Sequence, residues 1–164
     1  MYNLISTPFE PTINLQQYLG EKGMYNKLLL ATDLAKGSHR LAIKASQIAN
    51  NFQAELYIIH VLELPFASQY AQALGFAELA TPPIEEASCV LATLADEIGI
   101  PGEKQIVIAG RSAYHIIEQA KSLSIDAIII GSHSSSALPN FLGSTANAIS
   151  HQSPCDVVTL RMDG

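Results

Sequence analysis

Two glycines twelve residues apart, Gly131 and Gly143, stand in the stretch "GSHSSSALPNFLGST", with hydroxyls crowded around both. Residues of these types do one piece of chemistry well, which is to hold an anion. Glycine lets an anion approach backbone N–H groups closely, and serine and threonine add donors without adding charge. If Gly143 opens a helix, the unpaired N–H groups of the first turn and the positive end of the helix dipole complete a cradle that needs no lysine. Ser134, Ser135 and Ser136 beside His133 invite the idea of a nucleophile, but no Gly-x-Ser-x-Gly elbow accompanies them. A linker would have much the same composition, so the flanking elements must decide.

Those elements alternate. "KLLLAT" (27–32), "ELYIIHVL" (55–62), "KQIVIA" (104–109), "DAIII" (126–130) and "DVVTL" (156–160) are short apolar runs that read as buried strands. Between them lie amphipathic stretches. Ser38 is a plausible N-cap for a helix whose Leu41, Ala45, Ile48, Ala49 and Phe52 form one stripe. A second helix places Ala87, Val90, Leu91, Leu94 and Ile98 on one face and stops at Gly99 and Pro101. Ser112 can cap a third, whose Ile116, Ile117, Ala120 and Leu123 point inward, and a short helix spans about 143–152. The piece from Glu63 to Pro83 is variable in character and has no assigned element. Continuous apolar strands alternating with helices predict an open, doubly wound α/β domain with a parallel sheet covered on both faces. In such sheets ligands sit beyond the carboxyl ends of the strands where strand order reverses. The ends of strands one and four, "ATD" (31–33) and "IIIGSHS", are therefore the places to look.

Composition narrows the classes. The 164 residues suit one domain, read here as 26–164, with residues 1–25 as an appended arm of unknown role. No apolar run approaches the roughly 18–20 residues of a membrane span, and no basic segment leads an apolar core as in a secretory signal. A net charge of −6 with nine scattered Lys and Arg argues against nucleic acid. Cys89 and Cys155 lack metal-ligand spacing and read as reduced, buried thiols of a cytoplasmic protein. His60 reads as a hydrogen-bonded core residue and His39 and His151 as surface positions; Arg111 reads as a solvated side chain at a helix start.

The sequence resembles the universal stress protein family. Its ATP-binding members carry a Gly, two residues, Gly, nine residues, Gly, then Ser or Thr after the fourth strand. Here the run is Gly131, Ser132, His133, Ser134, eight residues, then Gly143, Ser144 and Thr145. Ser134 stands where the middle glycine would, and the loop is one residue shorter. Further likeness lies in "LLLATDLAKGSHRLAIKASQIA", "AELYIIHVLE", "IDAIIIGSHS" and "SPCDVVTL", so that it covers roughly residues 26–161. The resemblance implies an adenine-nucleotide alpha-hydrolase-like fold with strand order 3-2-1-4-5. It implies a regulatory protein of stress responses that binds ATP or AMP, with or without Mg²⁺. Ala31, Thr32 and Asp33 would meet the adenosine, the Val61 backbone would face adenine, and Gly131 would lie beneath the ribose. Ser132, His133, Ser134, Gly143, Ser144 and Thr145 would surround the phosphates. With that strand order, strand 156–161 lies at a sheet edge with no lysine or proline inside it, which invites pairing into a homodimer unless residues 1–25 fold back to cover the edge.

Blander readings stay open at this point. Asp33 can cap its own loop, His133 can be an exposed imidazole, and the cradle can be empty in a nucleotide-free dimeric interaction module. A third reading, a slow ATP hydrolase, would need a positioned water, a Mg²⁺ site and charge neutralisation. The chain has no Walker lysine, and Asp33 is the one carboxylate expected near the site, which argues against efficient catalysis.

Overall fold

The structure, a computed structural model, describes residues 23–76, 82–133 and 143–162. Five strands, β1 (Lys27–Ala31), β2 (Glu55–Leu62), β3 (Gln105–Ala109), β4 (Ala127–His133) and β5 (Asp156–Met162), form one sheet. Its order is β3-β2-β1-β4-β5, and every pairing is parallel. The helices are α1 (Ser38–Phe52), α2 (Phe66–Ala73), α3 (Ile84–Glu97), α4 (Ser112–Leu123) and α5 (Ser144–Gln152), with a 3-10 turn at Gly102–Lys104. The expected doubly wound sheet and its strand order are therefore present.

Alternation along each strand divides the core into two layers. Leu28, Leu30, Ile58, Ala127 and Ile129 face α1 and α3, meeting Leu41, Ala45, Leu91 and Leu94. Leu29, Ile59, Val61, Ile128 and Ile130 face α4 and α5, meeting Ile116, Ala120, Ala146 and Ile149. Leu28, Leu29 and Leu30 are fully buried, so each contributes about 2 kcal/mol of transfer free energy to whichever layer it enters. β1 thus needs apolar residues on both sides, which is why its run does not alternate.

Several local expectations differ from what is observed. Ser38 is the first residue of α1 and makes no cap; the N-cap is Gly37, at φ 106°. The N-cap of α4 is Arg111, again without a side-chain cap. Val90 is 53% exposed and Cys89 is exposed, because the buried stripe of α3 runs through Ala87, Leu91, Leu94 and Ala95 on the other side. Cys155 is half-buried, and both cysteines are unpaired thiols. β4 continues three residues past Ile130 because β5 pairs with it as far as His133 and Met162. α2 occupies part of the variable piece, and residues 1–22 of the arm lie outside the described residues. Gly99, at φ 72°, ends α3 as expected, with the Ile100 N–H donating back to the Ala95 carbonyl at 2.9 Å and Pro101 next.

The amino end of the sheet is drawn together by one carboxylate. Asp126 Oδ2 accepts the backbone N–H of Asn26 at 2.6 Å and of Lys27 at 2.8 Å. These two bonds, the Asn26 bond first, hold the Asp126 carboxyl below its ordinary range. A carboxyl lowered in the folded state stabilises above its unfolded value, about 3.9, and ceases to do so as pH falls through the lower folded value. Asp126→Asn should therefore cost about 1 kcal/mol or less at neutral pH, solvent screening part of the interaction. Urea unfolding of both proteins should show that gap closing as pH drops below about 4.

Candidate functional site

β1 and β4 are neighbours, yet the chain leaves them toward opposite faces, to α1 after β1 and to α5 after β4. A recess of about 460 Å³ opens between the two exits, at the carboxyl end of the sheet. Ala31, Thr32, Asp33, Val61, Gly131, Gly143, Ser144 and Thr145, all anticipated, line it together. Ser132 and His133 do not leave the sheet: their backbones pair with Arg161 and Met162 in β5, and Ser132 is not among the lining residues. Ser134 lies outside the described residues.

The two glycines serve different ends. A Cβ on Gly131 would stand 3.2 Å from Leu41 Cδ2 and 3.5 Å from Met162 Cγ, so its bareness lets α1 and β5 close beneath the recess. Among the described residues, a Cβ on Gly143 would meet nothing within 4 Å, and its φ of −55° suits any residue. Gly143 therefore adds no side chain of its own in front of α5 and leaves the helix without a side-chain cap. The dipole end and N–H groups of a nine-residue helix face the recess there.

Asp33 sits on the loop after β1. Its Oδ1 accepts the Ala35 N–H at 3.0 Å and the Ser38 hydroxyl at 3.2 Å, so the capping reading of Asp33 is true as far as its own loop goes. The same carboxylate also lines the recess. His60 is 9% exposed and bonds through Nδ1 to the Thr32 carbonyl at 2.9 Å, as expected of a core histidine; it too reaches the recess.

Asp33 is not alone. Glu63, just beyond β2, lines the recess and accepts the Ser112 N–H on Oε1 at 2.8 Å. The partner is 49 residues away in sequence, and nothing local signals it. Glu63 thus occupies the amino end of α4 that Ser112 was expected to cap. The Ser112 hydroxyl first, then its N–H, and more weakly the Arg111 charge, hold the Glu63 carboxyl below its ordinary value against mild desolvation. Arg111 is exposed and lines a second recess, of about 430 Å³, which shares Glu63, Ser112, Ser144 and Thr145 with the first. Among the described residues no cluster of three metal-ligating side chains occurs.

Fold and recess together define a doubly wound α/β domain with an open crevice at its switch point. The model of the universal stress protein family matches residues 24–161, and the chain belongs to that family. It is 38% identical over 144 residues to universal stress protein A homolog 2 of Coxiella burnetii, across 85% of this chain and 97% of that one. Among solved structures, hypothetical protein MJ0577 superposes with a TM-score of 0.69 at 23% identity, covering 86% and 99% of the two chains. A universal stress protein solved in complex with cAMP superposes with a TM-score of 0.57 at 20% identity, covering 85% and 98%. At these identities the two superpositions speak for the fold. No helix among the described residues is long and apolar enough to cross a membrane.

The Glu63 contact yields an expected outcome of its own. Glu63→Ala leaves the first turn of α4 without its acceptor and should cost about 0.5–2 kcal/mol in urea unfolding at neutral pH. Because the folded carboxyl is lowered, the difference from the unaltered protein should shrink as pH falls below about 4.3.

Proposed function

We propose that this universal stress protein binds an adenine nucleotide, ATP or AMP, in the crevice between β1 and β4, and acts in the cytoplasm in stress responses by changing partner or dimer contacts with occupancy. The observation that carries this reading is the asymmetry of the two helix ends at the crevice. The α4 end already holds the Glu63 carboxylate, whereas α5 begins at a bare Gly143 that no described side chain approaches within 4 Å. An anion entering the recess is therefore drawn to Gly143, Ser144 and Thr145. Asp33 and the Val61 backbone, on the opposite wall, suit a ribose and a base. The likeness to a universal stress protein solved with cAMP supports the choice of an adenine ligand.

No lysine or arginine is among the described residues lining this recess. ATP would thus rely on Mg²⁺ to offset its charge, and without a lysine or arginine to neutralise the transferred phosphoryl group efficient hydrolysis is a poor fit. Nucleotide released from the denatured, freshly purified protein and identified by chromatography tests the reading directly. Gly143→Val should abolish binding in calorimetry while circular dichroism stays unchanged, since a Cβ there meets no described residue within 4 Å and a β-branched side chain would fill the space proposed for the phosphates. A protein that neither retains nor binds ATP or AMP would instead be the nucleotide-free interaction module.

The dimer rests on the sheet edge. β5 pairs with β4 on one side and ends the strand order on the other, and it carries Val157, Val158 and Leu160 partly buried. It contains no lysine or proline within Asp156–Met162, the usual guards of an edge. Two copies meeting across a two-fold axis would satisfy both edges. Val158→Lys should then convert a dimer into a folded monomer by sedimentation, and a monomeric unaltered protein would refute the pairing.

A further inference from the structure

Among the described residues three polar side chains are buried, Thr32, Ser38 and His60, at 8%, 8% and 9% exposure. The two hydroxyls form one hydrogen-bonded chain that ends on Asp33, and His60 braces the backbone of the same loop. The Leu34 N–H donates to Thr32 Oγ1 at 3.2 Å, Thr32 Oγ1 donates to Ser38 Oγ at 3.0 Å, and Ser38 Oγ donates to Asp33 Oδ1 at 3.2 Å. The direction is forced, because an N–H only donates and a carboxylate only accepts, so each hydroxyl must receive on one side and give on the other. Hydrogen bonds aligned head to tail polarise one another toward the carboxylate.

The backbone of the loop is tied down independently. The Thr32 N–H donates to the Ile59 carbonyl at 3.0 Å, and the Thr32 carbonyl accepts from His60 Nδ1 at 2.9 Å, so both bonds run to β2. The loop also holds Leu34 at φ 56°, a left-handed conformation that residues other than glycine seldom adopt. Capping α1 does not explain Ser38, whose hydroxyl turns away from the helix toward Asp33. A loop whose only task was to connect β1 to α1 would have no need to bury two hydroxyls and an imidazole beneath a carboxylate at the rim of the recess.

We propose that Ser38 is a positioning residue, which with Thr32 and His60 fixes the Asp33 carboxylate to accept the hydroxyls of a ribose and so selects ribonucleotides over deoxy analogues. The inference rests on the nucleotide reading above and assigns the source of its sugar selectivity. Affinity for ATP and for 2′,3′-dideoxy-ATP, which lacks both ribose hydroxyls, is measured by calorimetry on the full chain. The unaltered protein should prefer ATP. Ser38→Ala should reduce that preference about tenfold, the worth of one hydrogen bond to a charged group, and Ser38→Thr should restore it. A ratio unchanged by Ser38→Ala, or an equal loss for both ligands, would reduce Ser38 to a loop stabiliser and overturn the inference while leaving nucleotide binding intact. Should Ser38→Ala fail to fold, Thr32→Val breaks the same chain one step earlier and must lower the ratio in the same sense. Binding of neither ligand by the unaltered protein would overturn the nucleotide reading itself, and with it this one.

Discussion

Neighbouring strands β1 and β4 send the chain to opposite faces of the sheet, and the rest of the molecule answers to that divergence. Right-handed crossovers between parallel strands oblige α1 and α3 to cover one face and α4 and α5 the other. Only where the covering changes sides is the carboxyl end of the sheet left open. The same arrangement places β1 in the middle, buried on both faces, and accounts for three consecutive leucines where a half-exposed strand would alternate. The recess is a consequence of the topology, and its character is set by what furnishes its two rims.

The rims are furnished in opposite styles. On the β1 side, side chains do the work: two hydroxyls, an imidazole and two backbone donors converge on the Asp33 loop. On the β4 side, the backbone does it: Gly131 allows Leu41 and Met162 to close in below, and Gly143 leaves the start of α5 bare. Electrostatics follow the same division. Glu63 occupies the α4 end with a carboxylate, whereas the α5 end that meets the recess carries no side-chain cap, and Asp33 adds a hydrogen-bond acceptor to the other wall. A ligand with an anionic end and a hydroxyl-bearing end has one sensible orientation between them.

Most of this was readable before any coordinates, and the failures share a cause. Strand β2 is found at its expected limits, and the recess gathers eight of the eleven anticipated site residues, because apolar runs and glycine positions are local signals. Ser38 and Ser112 do not cap their helices: the Ser38 hydroxyl turns to Asp33, five residues back in its own loop, and at α4 a carboxylate from 49 residues away reaches the helix end first. Glu63 gave no sequence sign at all. Val90 shares the helical spacing of Ala87, Leu91 and Leu94, yet the stripe that meets the sheet takes in Ala95 on its other flank and leaves Val90 outside. The strand character of Gly131–His133 depended on β5, whose pairing extends β4 beyond its apolar run.

Gly131 joins the two surfaces on which the proposed function depends. It lines the recess and pairs with Leu160 in the edge strand, and the space its missing side chain would fill is closed by Met162, the last residue of that strand. Leu41 of α1 touches the same spot from the other direction, and Lys44, one turn further along α1, donates to the Arg161 carbonyl at 3.1 Å. The floor of the ligand site and the outer strand therefore share packing, with no intervening loop to absorb a displacement. Packed cores answer small shifts by discrete repacking more readily than by gradual deformation. A ligand seated over Gly131 would press on β5 through two side chains, which gives nucleotide occupancy a short physical route to the pairing edge.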